Sequence, residues 1–163
     1  MADDRTARYG RGMDQLGASV IAGTPDALAG ATSVVERIAG DEAAARDERA
    51  RLETYGLLNL DPQPAIDGLR DGEIVVDVRQ ATRVERIPAE DTGEITGRLH
   101  LTTRRLILSG AAPLEVELTA IEELSLIGER LLVGLGNGGG LCFDIAAPRV
   151  FRVRAAYAIA QAR

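Results

Sequence analysis

Residues 94–109 read Glu-Ile-Thr-Gly-Arg-Leu-His-Leu-Thr-Thr-Arg-Arg-Leu-Ile-Leu-Ser. Leu99 and Leu101 alternate with Arg98, His100 and Thr102. An apolar run then resumes at Leu106 after a break of only a few polar residues. That is the pattern of two antiparallel strands joined by a very short turn. The same grammar extends in both directions. Upstream, Glu73–Arg79 (EIVVDVR) and Thr82–Pro88 read as a first strand region, one long bulged strand. Downstream, Leu114–Leu118 alternates with Leu114, Val116 and Leu118 inward and Glu115 and Glu117 outward. Ile121–Leu126, Arg130–Leu135 and Leu141–Ile145 follow, the last two separated by a Gly136–Gly140 turn. Pro148 then opens a helix to the end of the chain. Phe151, Ala155, Ala158, Ile159 and Ala162 share one face of that helix, and Arg149, Arg152 and Arg163 fall opposite, toward water. Antiparallel strands leave open ends and edges, and an amphipathic helix can plug one of them. The expected fold is α+β: an antiparallel β-barrel or sandwich of about seven strands, capped by a C-terminal helix and preceded by an N-terminal helical segment.

Residues 1–68 have a different composition. They carry 7 Arg against 12 acids, while residues 69–163 carry 12 Arg against 13 acids. The boundary falls in Asn59–Gly68, where Pro62 and Pro64 punctuate the chain. This divides it into a helical segment and linker, 1–68, and a β-rich domain, 69–163. Met13–Ala22 reads as a short helix. Thr24 as N-cap, Pro25 at the first helical position and Asp26 in the first turn start a second. Leu28, Ala31, Val35 and Ile38 line one face, and Gly40 closes it. Asp41 is placed to cap a third helix to about Thr54, laced by Glu42–Arg46, Asp47–Arg51 and Arg49–Glu53 pairs. That helix shows little apolar surface and no sustained heptad, so it reads as a solvated connector.

The β-rich part resembles a known superfamily. Leu69-x-x-Gly72-Glu73-x-Val75, then Gly97-x-Leu99-x-Leu101-Thr102-x-x-Arg105-Leu106, and later Val116-x-Leu118-x-x-Ile121, is similar to the pleckstrin-homology-like superfamily, and to its GRAM and bacterial PH-like branches in particular. The helix from Pro148 stands where theirs does. The resemblance covers residues 69–163 and implies a binding module for phosphoinositides, peptides or partner proteins. Within the motif, Gly97 permits a close backbone approach. Thr102 can bond backbone in the turn, and Arg105 can pair with an acid or carbonyl. All three read as fold determinants. Lipid-binding members use basic residues around the first strand pair, and there this chain offers Arg79, Arg83 and Arg86, with Arg104 at the next turn. Asp77, Glu85, Glu90, Asp91 and Glu94 are interleaved with them, and acids offset the attraction of such a patch for an anionic surface.

Composition removes several classes of function. All nineteen basic residues are Arg, so a Schiff-base lysine and a phosphate-loop lysine are ruled out. A net charge of −6 repels nucleic-acid backbones, and no aromatic cluster offers a stacking platform. Gly134–Gly139 fits G-x-G-x-x-G literally, but a strand follows it rather than a helix, and Asn137-Gly138 is a hairpin turn. His100 is the single histidine and Cys142 the single cysteine; they furnish no structural zinc site, and a dyad between them needs direct contact. No catalytic, cofactor or metal residue is assigned. With no secretory signal, no apolar stretch of bilayer length and one unpaired Cys, the chain is expected in the cytoplasm. The leading expectation is a non-enzymatic interaction module for a protein or peptide segment. The alternatives are a peripheral membrane module for anionic headgroups and a small enzyme with an unrecognised site. The N-terminal helices are expected to autoinhibit the β domain, to pair two copies as a homodimer or to cover the β domain.

Overall fold

A computed structural model describes residues 25–57, 60–61, 63–84 and 94–163. The elements, in chain order, are α1 (Pro25–Tyr55), β1 (Val75–Val84), β2 (Glu94–Thr102), β3 (Arg105–Gly110), β4 (Leu114–Glu117), a 3-10 turn (Leu118–Ala120), β5 (Ile121–Ile127), β6 (Arg130–Leu135), β7 (Gly140–Ile145) and α2 (Pro148–Ala162). The Met13–Ala22 helix, the Thr24 cap and Arg86 lie outside the described residues. No described helix is long and apolar enough to cross a membrane.

The seven described strands form one antiparallel sheet in the order β4-β3-β2-β1-β7-β6-β5. β1 makes this order workable. It is ten residues long, pairs along its length with β2, and still offers Ala81–Arg83 to β7. Its register slips between Val75 and Asp77, a bulge near the start of the one long strand expected there. The sheet ends on β4 and β5, which do not pair with each other. The shell is therefore a sandwich rather than a hydrogen-bonded barrel, and α2 fills the open side. Seven strands in this order with a closing C-terminal helix make a PH-like sandwich.

Leu99, Leu101, Leu106, Leu108, Leu131, Val133 and Phe143 from the sheet meet Phe151, Ala155, Ala158 and Ile159 of α2 in one core. With few aromatics available, the core is built from aliphatics at alternate strand positions, and two Phe side chains are its largest members. Gly97 pairs with Gly110 across β2 and β3. A Cβ on Gly97 would stand 2.2 Å from the Ser109 carbonyl oxygen, so that close approach requires glycine. The glycine-rich run after β6 is a hairpin. Gly138 has φ +81°, and its N–H donates to the Leu135 carbonyl at 2.9 Å.

The N-terminal expectation needs correction. α1 is one continuous helix of 31 residues; Gly40 does not end it and Asp41 does not restart it. A glycine inside a helix costs only about 1 kcal/mol, less than tertiary contacts return. Asp41 instead caps α2. The α2 N-cap position is Ala147, which has no side-chain acceptor. The Arg149 and Val150 N–H groups donate to the Asp41 carboxylate at 2.9 and 3.3 Å. This is the work of an N-cap side chain, typically worth about 1 kcal/mol, performed here by a residue 108 positions earlier. Nor is residues 41–54 a solvated connector. Asp41, Ala45, Glu48 and Leu52 are buried against α2 and its surroundings. They recur at four, three and four residues, a helical stripe whose polar members hid it from a hydrophobicity pattern.

Candidate functional site

The hairpin motif folds into a buried polar knot. The Thr102 hydroxyl donates to Glu73 Oε1 at 2.6 Å and accepts the N–H groups of Arg104 and Arg105 at 3.0 and 2.8 Å, closing the β2–β3 turn. Arg105 grips Glu73 through two parallel bonds, Nε to Oε1 at 3.0 Å and Nη2 to Oε2 at 2.9 Å. It also donates to Glu115 at 2.6 Å and to the Gly68 carbonyl at 2.9 Å. Arg70 pairs with Glu117, and Arg104 donates to the Asp71 carbonyl. The segment before β1 is thereby tied to the β2–β3 turn and to β4. Burial pushes the Glu73 carboxyl upward, but the Arg105 guanidinium, the Arg70 N–H and the Thr102 hydroxyl together outweigh it and hold its pKa at about 2.

Glu73 therefore binds its proton more weakly in the folded than in the unfolded chain, so its contribution is full above the ordinary value of 4.5 and is lost as pH falls toward about 2. In Glu73→Gln that limb flattens. Urea midpoints of the two proteins between pH 5.5 and 2.5 are expected to converge as pH falls; parallel curves would show that Glu73 does not carry the acid sensitivity.

Of the arginines marked as an anion patch, the three described ones, Arg79, Arg83 and Arg104, do not converge. Arg79 pairs with the buried Asp77 at 3.0 Å. Asp77 also holds Arg154 of α2 at 3.1 Å, and Arg154 donates to Glu48 of α1 at 2.6 Å. Burial disfavours the Arg154 charge, but Glu48 and Asp77 raise its pKa above the ordinary value. Arg79 is thus part of a charged relay joining β1, α2 and α1. Arg83 stands opposite Ile95, and Thr102 opposite Val75. Seven residues separate Ile95 from Thr102, so Arg83 and Arg104 lie roughly 23 Å apart along the hairpin. His100 is buried and contacts Ser109 Oγ at 3.1 Å; burial and, after it, Arg98 lower its pKa. Cys142 is on β7, with β1 between it and β2. His100 pairs with Val78 and the neighbour of Cys142, Phe143, with Arg83. Five residues of β1 place His100 and Cys142 roughly 16 Å apart, so no dyad forms.

A different cluster does converge. A groove of about 390 Å³ lies between α1, α2 and the end of β5, lined by Arg46, Arg49, Arg149, Arg152, Glu42 and Leu126 among others. Arg149 spans Asp41 and Glu42, each at 3.5 Å. Its buried Nη1 is the atom that faces Asp41 Oδ2, at ion-pair rather than hydrogen-bond distance. Among the described residues, Arg46 donates only to the Glu42 carbonyl, at 3.3 Å. The sequence does not reveal this groove, because Arg46 and Arg49 read as members of pairs along their own helix and Arg149 and Arg152 as facing water. The available signal was the i, i+3 spacing of arginines on both helices. Arg163 does not face water alone either: it donates to the Ile121 carbonyl at 2.7 Å, sealing the start of the β5 edge. From Glu123 to Ile127, β5 pairs with β6 and, among the described residues, with no strand on its other side.

No family model matches the sequence, and no curated protein does. Among solved structures, the chain is similar to the Vps36 N-terminal PH domain at 17% identity, covering 56% of this chain and 83% of that one with a TM-score of 0.44. It is also similar to the C-terminal domain of an unknown protein from Leishmania infantum, at 14% identity, 45% and 72% coverage and a TM-score of 0.37.

Proposed function

We propose that this chain is a non-enzymatic interaction module of the cytoplasm that takes an extended protein segment as an added strand on β5. The observation that carries this reading is the β5 edge. It is the longer of the two terminal strands, seven residues against four in β4. Every second residue of an edge strand directs its N–H and C=O outward, and an added strand satisfies them. The neighbouring groove gives side chains of that segment a place to enter. The buried polar cluster supports contact rather than chemistry: Glu73, Thr102 and Arg105 are consumed by each other, and His100 engages Ser109 through Nε2 alone. The Gly97–Arg105 hairpin motif supports placing the chain near the GRAM and bacterial PH-like branches. The spread of Arg79, Arg83 and Arg104 along the hairpin ranks headgroup binding second.

The test is selection of heptapeptides from a random display library on the full chain, followed by amide hydrogen exchange. Selected peptides are expected to slow exchange between Glu123 and Ile127, and to lose binding when alternate peptide nitrogens are methylated. Protection elsewhere, or indifference to methylation, would refute strand addition. Sedimentation with anionic vesicles that Arg83→Glu abolishes would support the headgroup reading instead.

A further inference from the structure

α1 changes character where it leaves α2. Asp41 stands level with the first turn of α2, whose Arg149 and Val150 N–H groups it accepts. Glu48, two turns later in α1, meets Arg154 further along α2. The two helices therefore run in the same direction, and the half of α1 before Asp41 extends beyond the start of α2. Among the described residues, α2 is also the one element on which α1 packs extensively. Residues 41–55 carry eight charged side chains in fifteen positions, whereas residues 25–40 carry three in sixteen, Asp26, Glu36 and Arg37. That half also holds Gly30, Thr32, Val34, Val35 and Gly40, all weak helix formers. Val34 is 38% exposed and Val35 is 65% exposed. A helical stretch with so little charge and so little intrinsic propensity owes its stability to an apolar face packed on another surface.

We propose that this surface is the same half of α1 in a second copy of the chain, packed antiparallel. The stripe buried on α2, Asp41, Ala45, Glu48 and Leu52, continues toward the N-terminus at Ile38, Val34, Ala31 and Ala27. The steps alternate between three and four residues, the spacing of a seam between two helices. In an antiparallel pair centred between Thr32 and Ser33, position 27 falls opposite position 38 of the partner, and position 31 opposite position 34. Each of the four layers so formed joins one alanine to one branched side chain, the alternation that fills an interface without voids or overlap. A parallel pair would set alanine against alanine and isoleucine against isoleucine. This match of the face to itself is what selects a second copy as its occupant, because a two-fold contact must be self-complementary. Val35 stands on one flank of the face, with Leu28 one turn pair before it, and widens the contact. Arg37 stands on the other flank, where its Nε donates to Glu129 Oε1 at 3.0 Å, so its charge is held away from the seam. The pairing does not depend on strand addition at β5. Where both hold, one dimer carries two β5 edges, and a partner with two suitable segments gains avidity.

Residues 27–38 span only about 18 Å of helix, so the dimer is expected to be reversible. Sedimentation equilibrium of the full chain should give twice the chain mass at high concentration and the single chain mass on dilution. Val34→Glu/Val35→Glu brings like charges together across the seam and is expected to weaken association roughly a hundredfold. Both side chains are exposed in the single chain, so this variant is expected to fold, and circular dichroism checks that. Orientation is read by disulfide trapping in a Cys142→Ser background. A mixture of Ala31→Cys and Val34→Cys copies is expected to form the mixed disulfide in preference to either homodisulfide. Preferred homodisulfides overturn the antiparallel register. A full chain that stays monomeric at its highest soluble concentration overturns the proposal. If Val34→Glu/Val35→Glu then also lowers the melting temperature of that monomer, the face is covered by residues 1–24 of its own chain. Association that the double substitution leaves unchanged overturns the proposal as well, since the dimer then forms through another surface.

Discussion

Arg105→Ala is expected to destabilise the fold by about 3–5 kcal/mol, the range for removing one partner of a buried ion pair. The Arg105 side chain is 5% exposed and that of Glu73 is fully enclosed. Truncation strands the Glu73 carboxylate with two donors, the Arg70 N–H at 2.9 Å and the Thr102 hydroxyl at 2.6 Å. It also removes the bonds to Glu115 and to the Gly68 carbonyl. The loss is therefore mainly the cost of an uncompensated buried charge, not the net value of the pair. The double variant Arg105→Met/Glu73→Leu separates the two, because an apolar pair of similar volume removes the stranded charge. It is expected to recover most of the single-variant loss in urea unfolding. A loss below about 1 kcal/mol for Arg105→Ala, the range of exposed pairs, would show that the knot is a surface pair and would remove its role in the hairpin.

Phe151→Ala is expected to cost a similar amount, about 3–5 kcal/mol. Phe151 is fully buried, and its neighbours along the α2 face, Ala155 and Ala158, are themselves fully buried and small. They have no side chain with which to refill the space, so the cavity persists and the cost stays near the upper end of the range. The loss should appear as lower stability with an unchanged denaturant slope, since the same surface is exposed on unfolding. A change below about 1 kcal/mol would mean that α2 does not seal the sandwich and that the sheet halves close on each other without it.

The β-rich part was largely legible because a strand's side chains alternate with period two and its ends carry chemical punctuation. Leu99 and Leu101 against His100 and Thr102 set the inward face, and Asn137-Gly138 marked the last hairpin. The Gly97–Gly110 approach was half visible: the sequence shows one glycine inside a strand pattern, but only the register shows that a second faces it. Arg105 was recognisable as a residue needing an acid or carbonyl, while its partners, Glu73, Glu115 and Gly68, were not. They stand 32, 10 and 37 residues away, and no local pattern couples such positions.

The N-terminal helix shows the opposite case. Its buried stripe includes Asp41 and Glu48, which hydropathy assigns to water. Burial of a charge is tolerated only where a partner waits, and here the partners, Arg149 and Arg154, belong to a helix more than a hundred residues later. The groove was hidden for the same reason, since each of its arginines looks solvated until two helices are brought side by side.

From its amino acids alone this chain determines strands, turns, an aliphatic core and a closing helix, because those follow from side-chain periodicity and backbone preference within a few residues of each other. Which charges end up facing which, whether Asp41 starts its own helix or caps a distant one, and where four arginines converge were decided only on folding. Electrostatic and hydrogen-bond energies depend on distance in space, and distance in space is set by the packing of the whole chain.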